Sequence, residues 1–109
     1  MIDWARVTEL CAEIGADDFN EVVDLFLEEA DEVIVRLEPN NTAASLEADL
    51  HFLKGAALNL GLSALAALCQ EGERRAALGE TGLNTVAVKQ CYMASKHALA
   101  VGIPALVTV

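Results

Sequence analysis

A helical pattern of apolar side chains runs without a break from Phe19 to Leu37, and it constrains the fold more than any other feature of the sequence. Its apolar residues recur at spacings of three and four, so they share one face of a helix, while the opposite face is acidic. A helix of this kind becomes stable by packing its apolar face against other elements. The pattern therefore predicts a long amphipathic helix, whose apolar positions are Phe19, Val22, Val23, Phe26, Leu27, Ala30, Val33, Ile34 and Leu37.

The rest of the chain carries three more segments with helical periodicity and one shorter segment. Turn residues at 39–41 and 80–82, with Gly61 between them, predict helices over about 42–60, 62–78 and 83–101. Asp3 and Gly15 are suited to begin and end the shorter one. The chain is 54% hydrophobic and only 5% aromatic, which favours packed helices over a sheet. We expect one all-α domain over residues 1–109, an antiparallel four-helix bundle of up-down-up-down topology with a short N-terminal capping helix.

Local features of these helices are also predicted. Either Asp17 or Asp18 is expected to cap the second helix. The apolar tail over residues 103–109 is expected either to pack back on the bundle or to meet a neighbouring molecule, and the sequence leaves both open. The inward face of the fourth helix is expected to comprise Leu65, Leu68, Cys69, Gly72 and Ala76.

Charge and cysteine content exclude several classes of protein. The net charge is −10, with 14 acidic and 2 basic side chains in residues 1–50 against 3 and 5 in residues 51–109, which argues against a nucleic-acid partner. No apolar run approaches the roughly 18 residues of a membrane helix and no charged leader precedes one, so we expect a cytoplasmic protein without a membrane partner. Cys11, Cys69 and Cys91 form neither an even disulfide set nor a paired metal motif, so we expect reduced core cysteines. The predicted fold needs no second chain, which favours a monomer.

The third predicted helix carries His51 beside its apolar stripe. On a helix the neighbours of His51 lie three and four residues away, among them Lys54 and Gly55. A glycine in a helix interior costs about 1 kcal/mol relative to alanine, but it leaves space beside the imidazole. An accessible imidazole next to the Lys54 ammonium suits a phosphoryl group. Taken singly, such a histidine is more often an ordinary surface residue, and a helix glycine often marks close packing.

The fixed spacing of the residues around His51 favours the interpretation as a phosphoryl site over that of an ordinary surface histidine. The residues read His51-x-x-Lys54-Gly55-Ala56-Ala57-x-x-Leu60-Gly61, followed by Leu65, Leu68, Cys69 and Glu73. This pattern resembles the signature of the histidine phosphotransfer (HPt) domain of bacterial phosphorelays, and the resemblance extends over roughly residues 2–80. The chain departs from it at Leu50, where the family often has alanine, and at Gly72, where a leucine usually precedes the acidic residue. We expect Gly72 to loosen the helix that supports His51.

The resemblance implies a role for each residue of the pattern. His51 is the expected phosphoacceptor, and Glu73 is expected to accept a hydrogen bond from the other nitrogen of its ring. That bond would leave Nε2 of His51 as the nucleophile. Lys54 is then expected to neutralise phosphate oxygens, and Gly55 to keep the approach open.

The resemblance also implies the partners: a response-regulator receiver domain, which brings its own aspartate and Mg²⁺, and a sensor histidine kinase or hybrid kinase. The chain has no recognised ATP-binding motif, so we expect it to bind no cofactor and no metal and to have no kinase activity of its own. The expected docking surface is the outward side of the third helix around Gly55, formed by Ala44, Ala48, Leu58 and Leu62. Leu58 stands out, since a leucine among solvent-facing residues often belongs to a contact surface.

Three alternatives remain open at the level of the sequence. The chain could be a non-catalytic helical adaptor whose His51 is never phosphorylated. It could bind a metal through Glu47, His51, Cys91 or His97, although no pair of His or Cys residues has ligand spacing. It could also be a detached phosphoacceptor domain of a larger kinase, but not of the dimerising kind, because Phe52-Leu53 follows His51 instead of the expected Glu-x-x-x-Pro.

Overall fold

The computed structural model describes residues 2–107 and folds them into five α-helices. Within that range the only extended pairing is an isolated bridge between Ile2 and Leu62, so the all-α prediction is confirmed. No helix in the described part of the chain is both long and apolar enough to cross a membrane. The helices are α1 (Trp4–Ile14), α2 (Ala16–Arg36), α3 (Ala43–Leu60), α4 (Ser63–Ala77) and α5 (Thr85–Val107).

A single residue, Gly15, joins α1 to α2. The Asp3 carboxylate caps α1 as predicted, since its Oδ1 accepts a hydrogen bond from the backbone N–H of Arg6 at 3.2 Å. Gly15 has a positive φ of 97° and takes both the C-cap position of α1 and the N-cap position of α2. The prediction that Asp17 or Asp18 caps α2 is therefore wrong. Both lie inside the first turn, where their charges favour the positive end of the helix dipole.

Four of the helices form a closed ring of contacts around the core. α3 packs most extensively on α4, to which the two residues 61–62 connect it. α2 contacts α3 and α5, α4 also contacts α5, and α1 leans on α2 and α3. The most fully buried side chains come from all five helices and the segments between them, and include Val7, Phe19, Leu37, Leu46, Leu50, Leu53, Leu62, Leu65, Cys69, Tyr92, Ser95 and Leu99.

The last helix is longer than its periodicity predicts. α5 begins at Thr85 and continues to Val107, past the expected end near Val101, and includes Pro104. Ile103 is only 8% exposed and belongs to the core, so the first part of the apolar tail packs on the bundle as helix. Residues 108–109 of that tail lie outside the described range.

Close contact between Trp4 and Gly102 joins the start of α1 to the end of α5. A Cβ atom added at Gly102 would overlap Cη2 of Trp4, so the ring occupies the space of the missing side chain. Gly102→Ala should displace the indole into water, shift its fluorescence to longer wavelength and lower the free energy of unfolding by about 1–3 kcal/mol. Trp4 is the single tryptophan of the chain, so the emission spectrum reports this contact alone.

Gly55→Ala is the matched control for this prediction. No atom lies within 4 Å of a Cβ added there, so this variant should gain up to about 1 kcal/mol of helix stability without any spectral change. An unshifted spectrum in Gly102→Ala, with a similar gain in stability, would contradict the proposed contact.

Candidate functional site

The caps of α3 and its apolar stripe place His51 on the surface. Oγ1 of Thr42 accepts the backbone N–H of Ser45 at 3.2 Å at the start of the helix, and Gly61 ends it in the left-handed conformation at φ 75°. The stripe faces the core: Leu46, Leu50, Leu53, Ala57 and Leu60 are all at most 2% exposed. His51 lies just beside that stripe, and its side chain is 70% exposed.

Glu73 of α4 holds one nitrogen of the His51 ring. Nδ1 of His51 lies 3.1 Å from both carboxylate oxygens of Glu73, a side chain that is only 19% exposed. An ionised carboxylate can only accept hydrogen bonds, so Nδ1 is the donor. A neutral imidazole with its proton on Nδ1 has its lone pair on Nε2, and the exposure of the ring leaves that nitrogen open to a reactant.

Lys54 contacts the same carboxylate. Its Nζ lies 3.1 Å from each oxygen of Glu73, and the lysine side chain is 21% exposed. Partial burial raises the pKa of Glu73, but the hydrogen bonds from His51 and Lys54 and their charges outweigh it, and the pKa falls below its usual value. Lys54 is thus paired with Glu73 in this structure, and its contact with a phosphoryl group would require that it leave at least part of this pair.

The lowered pKa of Glu73 gives a pH dependence with a defined sign. A carboxyl group whose pKa is lower in the folded state stabilises the fold above its unfolded pKa, and this contribution disappears as the pH falls through the folded value. The difference in unfolding free energy between wild type and Glu73→Gln should therefore be retained above the ordinary value of 4.5 and shrink as the pH falls below it. Urea unfolding of both proteins over a series of pH values measures this difference, and a difference that grows on acidification would contradict the assignment.

Open space surrounds Gly55. No atom outside the local helix backbone lies within 4 Å of the position that a Cβ would take, so close packing against another element does not explain this glycine. A shallow depression lies beside the His51 ring, and its lining consists of Phe26, Glu29, His51, Phe52, Gly55, Ala56 and Asn59.

The outward side of α3 carries three of the four residues expected at the docking surface. Ala44 and Ala48 are exposed, and Leu58 is 59% exposed. Leu62 is only 1% exposed, so its expected place on that surface is wrong. The chain reverses at Gly61 and the backbone of Leu62 pairs with Ile2, which turns the leucine side chain into the core.

Comparison with known families gives one result. The model of the Hpt domain matches residues 21–99, which include α3, α4, and both His51 and Glu73. The chain belongs to the Hpt domain family. No curated protein and no solved structure matches it significantly. Membership places the chain in the phosphotransfer chemistry of two-component systems, where Hpt domains interact with receiver and kinase domains.

The two departures from the family pattern lie against each other in this Hpt domain. A Cβ added at Gly72 would lie 2.9 Å from Cδ1 of Leu50, so the leucine fills the space that the glycine leaves. Gly72 was expected to loosen the helix that supports His51. That expectation did not include this contact with Leu50, which joins α4 to α3. Leu68 was expected to face inward but is 39% exposed, at the wall of a cavity beside Gly72.

Asp49 has no role in the pattern around His51, but it is only 6% exposed and lies two residues before His51 on α3. Nη2 of Arg36 lies 2.9 Å from Oδ1 of Asp49, and Nε of the same guanidinium lies 3.3 Å from that oxygen. The pair joins the end of α2 to the middle of α3. Asp49 lies three residues after Leu46 and four before Leu53, so it shares the buried face of the helix with them. This spacing could have predicted from the sequence that the acid is buried.

The residues of the alternative metal site, Glu47, His51, Cys91 and His97, do not form a group that could hold a metal ion. In the described part of the chain, no three His, Cys, Asp or Glu side chains converge as metal ligands. Cys69 is fully buried, and burial raises the pKa of its thiol to about 12, as expected of an unreactive core cysteine.

Proposed function

We propose that this domain is a phosphorelay intermediate. His51 accepts a phosphoryl group from the phospho-aspartate of a receiver domain, or from a kinase, and passes it to another receiver aspartate. The observation that carries the proposal is the exposed imidazole whose Nδ1 is held 3.1 Å from the Glu73 carboxylate. A surface histidine with no role would not need an oriented ring.

The chemistry of transfer follows from that orientation. Nε2 of His51 attacks phosphorus, the bond between phosphorus and the aspartate oxygen breaks, and the aspartate leaves as a carboxylate. The ring acquires a positive charge as the new bond forms, and the adjacent Glu73 carboxylate stabilises it. In the reverse reaction the same charge makes the imidazole a good leaving group.

Lys54 is the nearest source of positive charge for the phosphoryl oxygens. Its ammonium contacts both oxygens of Glu73, and His51 lies three residues before it on the same helix. A partial release from Glu73 would bring the charge of Lys54 to the new phosphate. The receiver supplies the aspartate and Mg²⁺, so the HPt chain needs no cofactor of its own.

The proposal also covers the assembly in which transfer occurs. We infer that α2–α5 form the up-down-up-down bundle, that α1 caps it, and that the domain acts as a cytoplasmic monomer. A receiver domain docks on the exposed side of α3 around Ala44, Ala48, Gly55 and Leu58. The net charge of −10 is consistent with a protein partner and not with nucleic acid.

Incubation with a phosphorylated receiver and Mg²⁺ tests this function. Intact mass should show one phosphate-sized gain on the HPt chain, labile in acid and stable in base. Return of the phosphate to an unphosphorylated receiver should follow on mixing. No gain with any of several receivers would contradict the proposal and favour an adaptor that binds without being phosphorylated.

A further inference from the structure

The buried side chain of Leu50 lies against the partly buried Gly72, directly behind the pair of site residues. Leu50 precedes His51 on α3, and Gly72 precedes Glu73 on α4. Leu50 is 1% exposed, and its Cδ1 lies 2.9 Å from the Cβ position at Gly72. Even one methyl group at Gly72 would therefore overlap the leucine.

The size of this overlap can be compared with the tolerance of the site. Ordinary van der Waals contact of a Cβ begins at 3.4 Å, so an alanine at Gly72 requires a displacement of about 0.5 Å. The hydrogen bonds between His51 and Glu73 are 3.1 Å long. If α3 and α4 separated by the full distance of about 0.5 Å, these bonds would lengthen to about 3.6 Å. A contact of that length is no longer a hydrogen bond.

Space beside Gly72 allows the side chains to shift without unfolding the domain. A cavity of about 140 Å³ lies beside Gly72, and its lining includes Leu50, Leu68, Leu83 and Val88. The leucine tip can turn toward this space and relieve part of the overlap, and the backbones of α3 and α4 take up the remainder. A substitution at Gly72 should therefore leave the fold intact and move the two helices apart by up to about 0.5 Å.

We propose that Gly72 is a positioning residue: the space that it leaves for Leu50 permits the spacing of α3 and α4 at which Glu73 reaches Nδ1 of His51. The proposal rests on the function assigned above to His51. Neither residue touches the reacting atoms. Gly72 acts through Glu73, the residue that follows it, because both lie on α4 and a shift of that helix backbone moves the Glu73 carboxylate.

The test is a cycle of Gly72→Ala, Leu50→Ala and the double variant, with ¹⁵N NMR of the histidine ring as the first readout. The chain has two histidines, so His97 serves as an internal reference. Wild type should show the proton on Nδ1 of His51. Gly72→Ala should lose this preference, and the double variant should regain it, because Leu50→Ala removes the atoms that the new methyl group meets.

Transfer from a phosphorylated receiver is the second readout. Gly72→Ala should be slower by about tenfold, since misplacement of about 1 Å can cost 100-fold, and the double variant should recover most of the rate. Leu50→Ala alone should lower the melting temperature through its cavity and retain the Nδ1 proton. If Gly72 had only a structural role, Gly72→Ala would lower the melting temperature, but the proton would stay on Nδ1 of His51 and the double variant would not recover the transfer rate.

Failure of this proposal is distinguishable from failure of the proposed function. If Gly72→Ala keeps the Nδ1 proton and transfers at the wild-type rate, the positioning role is overturned and the relay function stands. If wild type is never phosphorylated, the relay function fails, while the NMR cycle still decides whether the contact orients the ring.

Discussion

Replacing His51 by glutamine should abolish phosphorylation of the domain while leaving its helices and stability nearly unchanged. Glutamine has no ring nitrogen that can attack phosphorus, and no other residue of the matched pattern can take its place. The side chain is 70% exposed, so little packing is lost, and substitutions at such surfaces usually change stability by at most about 0.5 kcal/mol. Intact mass after incubation with a phosphorylated receiver measures the loss, and circular dichroism the fold.

His97→Gln is the matched control. His97 is the second histidine of the chain, is exposed, and lies on α5, which carries none of the expected site residues. This variant should be phosphorylated at the wild-type rate. Phosphate retained in His51→Gln but lost in His97→Gln would move the acceptor to α5 and contradict the relay assignment.

Local sequence signals predicted the frame of the site because they act over short distances. The repeat on α3 placed His51 beside the buried stripe, and the turn at Gly61 brought α4 back along it. A capping threonine and a left-handed glycine fix such a helix with little help from the rest of the chain. The position of Glu73 opposite the histidine came from the family pattern, and the structure places the two side chains in contact.

The errors arose where the decisive contact joins residues far apart in the chain. Leu62 appeared to continue the outward face of α3, but its backbone pairs with Ile2, sixty residues earlier, and it is buried. Asp49 appeared to be one more acid of an acidic half, yet it is buried because Arg36 of another helix neutralises it. Helical periodicity describes one helix at a time, so it predicts neither the pairing of Leu62 with Ile2 nor that of Asp49 with Arg36.

Leu50 and Gly72 show the same limit in another form. Each residue alone departs from the family pattern and looks unfavourable, one as extra bulk and the other as a flexible glycine within a helix. In the structure the bulk of one fills the space left by the other, so together they conserve the volume between α3 and α4. Lys54 is a further example: its spacing predicted an ammonium group beside the ring but not the ion pair that it forms with Glu73 of α4.

Gly55→Leu should block transfer and at the same time stabilise the free domain. No atom outside the local helix backbone lies within 4 Å of the missing Cβ, so a side chain can begin there without a clash, and removal of a helix glycine gains up to about 1 kcal/mol. A docked receiver has to occupy this space, and overpacking of about 1–3 kcal/mol would slow transfer by about 5- to 150-fold.

A graded series separates obstruction of the partner from any effect on the helix. Gly55→Ala should give most of the gain in stability with little loss of rate, whereas Gly55→Leu should lose the rate. Ala94→Leu adds bulk at an exposed position of α5 and should leave transfer unchanged. Stopped-flow transfer from a phosphorylated receiver, with urea unfolding of each variant, measures both quantities. If the leucine variant at Gly55 transfers as fast as Ala94→Leu, the receiver does not approach His51 across this face of α3, and the docking surface lies elsewhere.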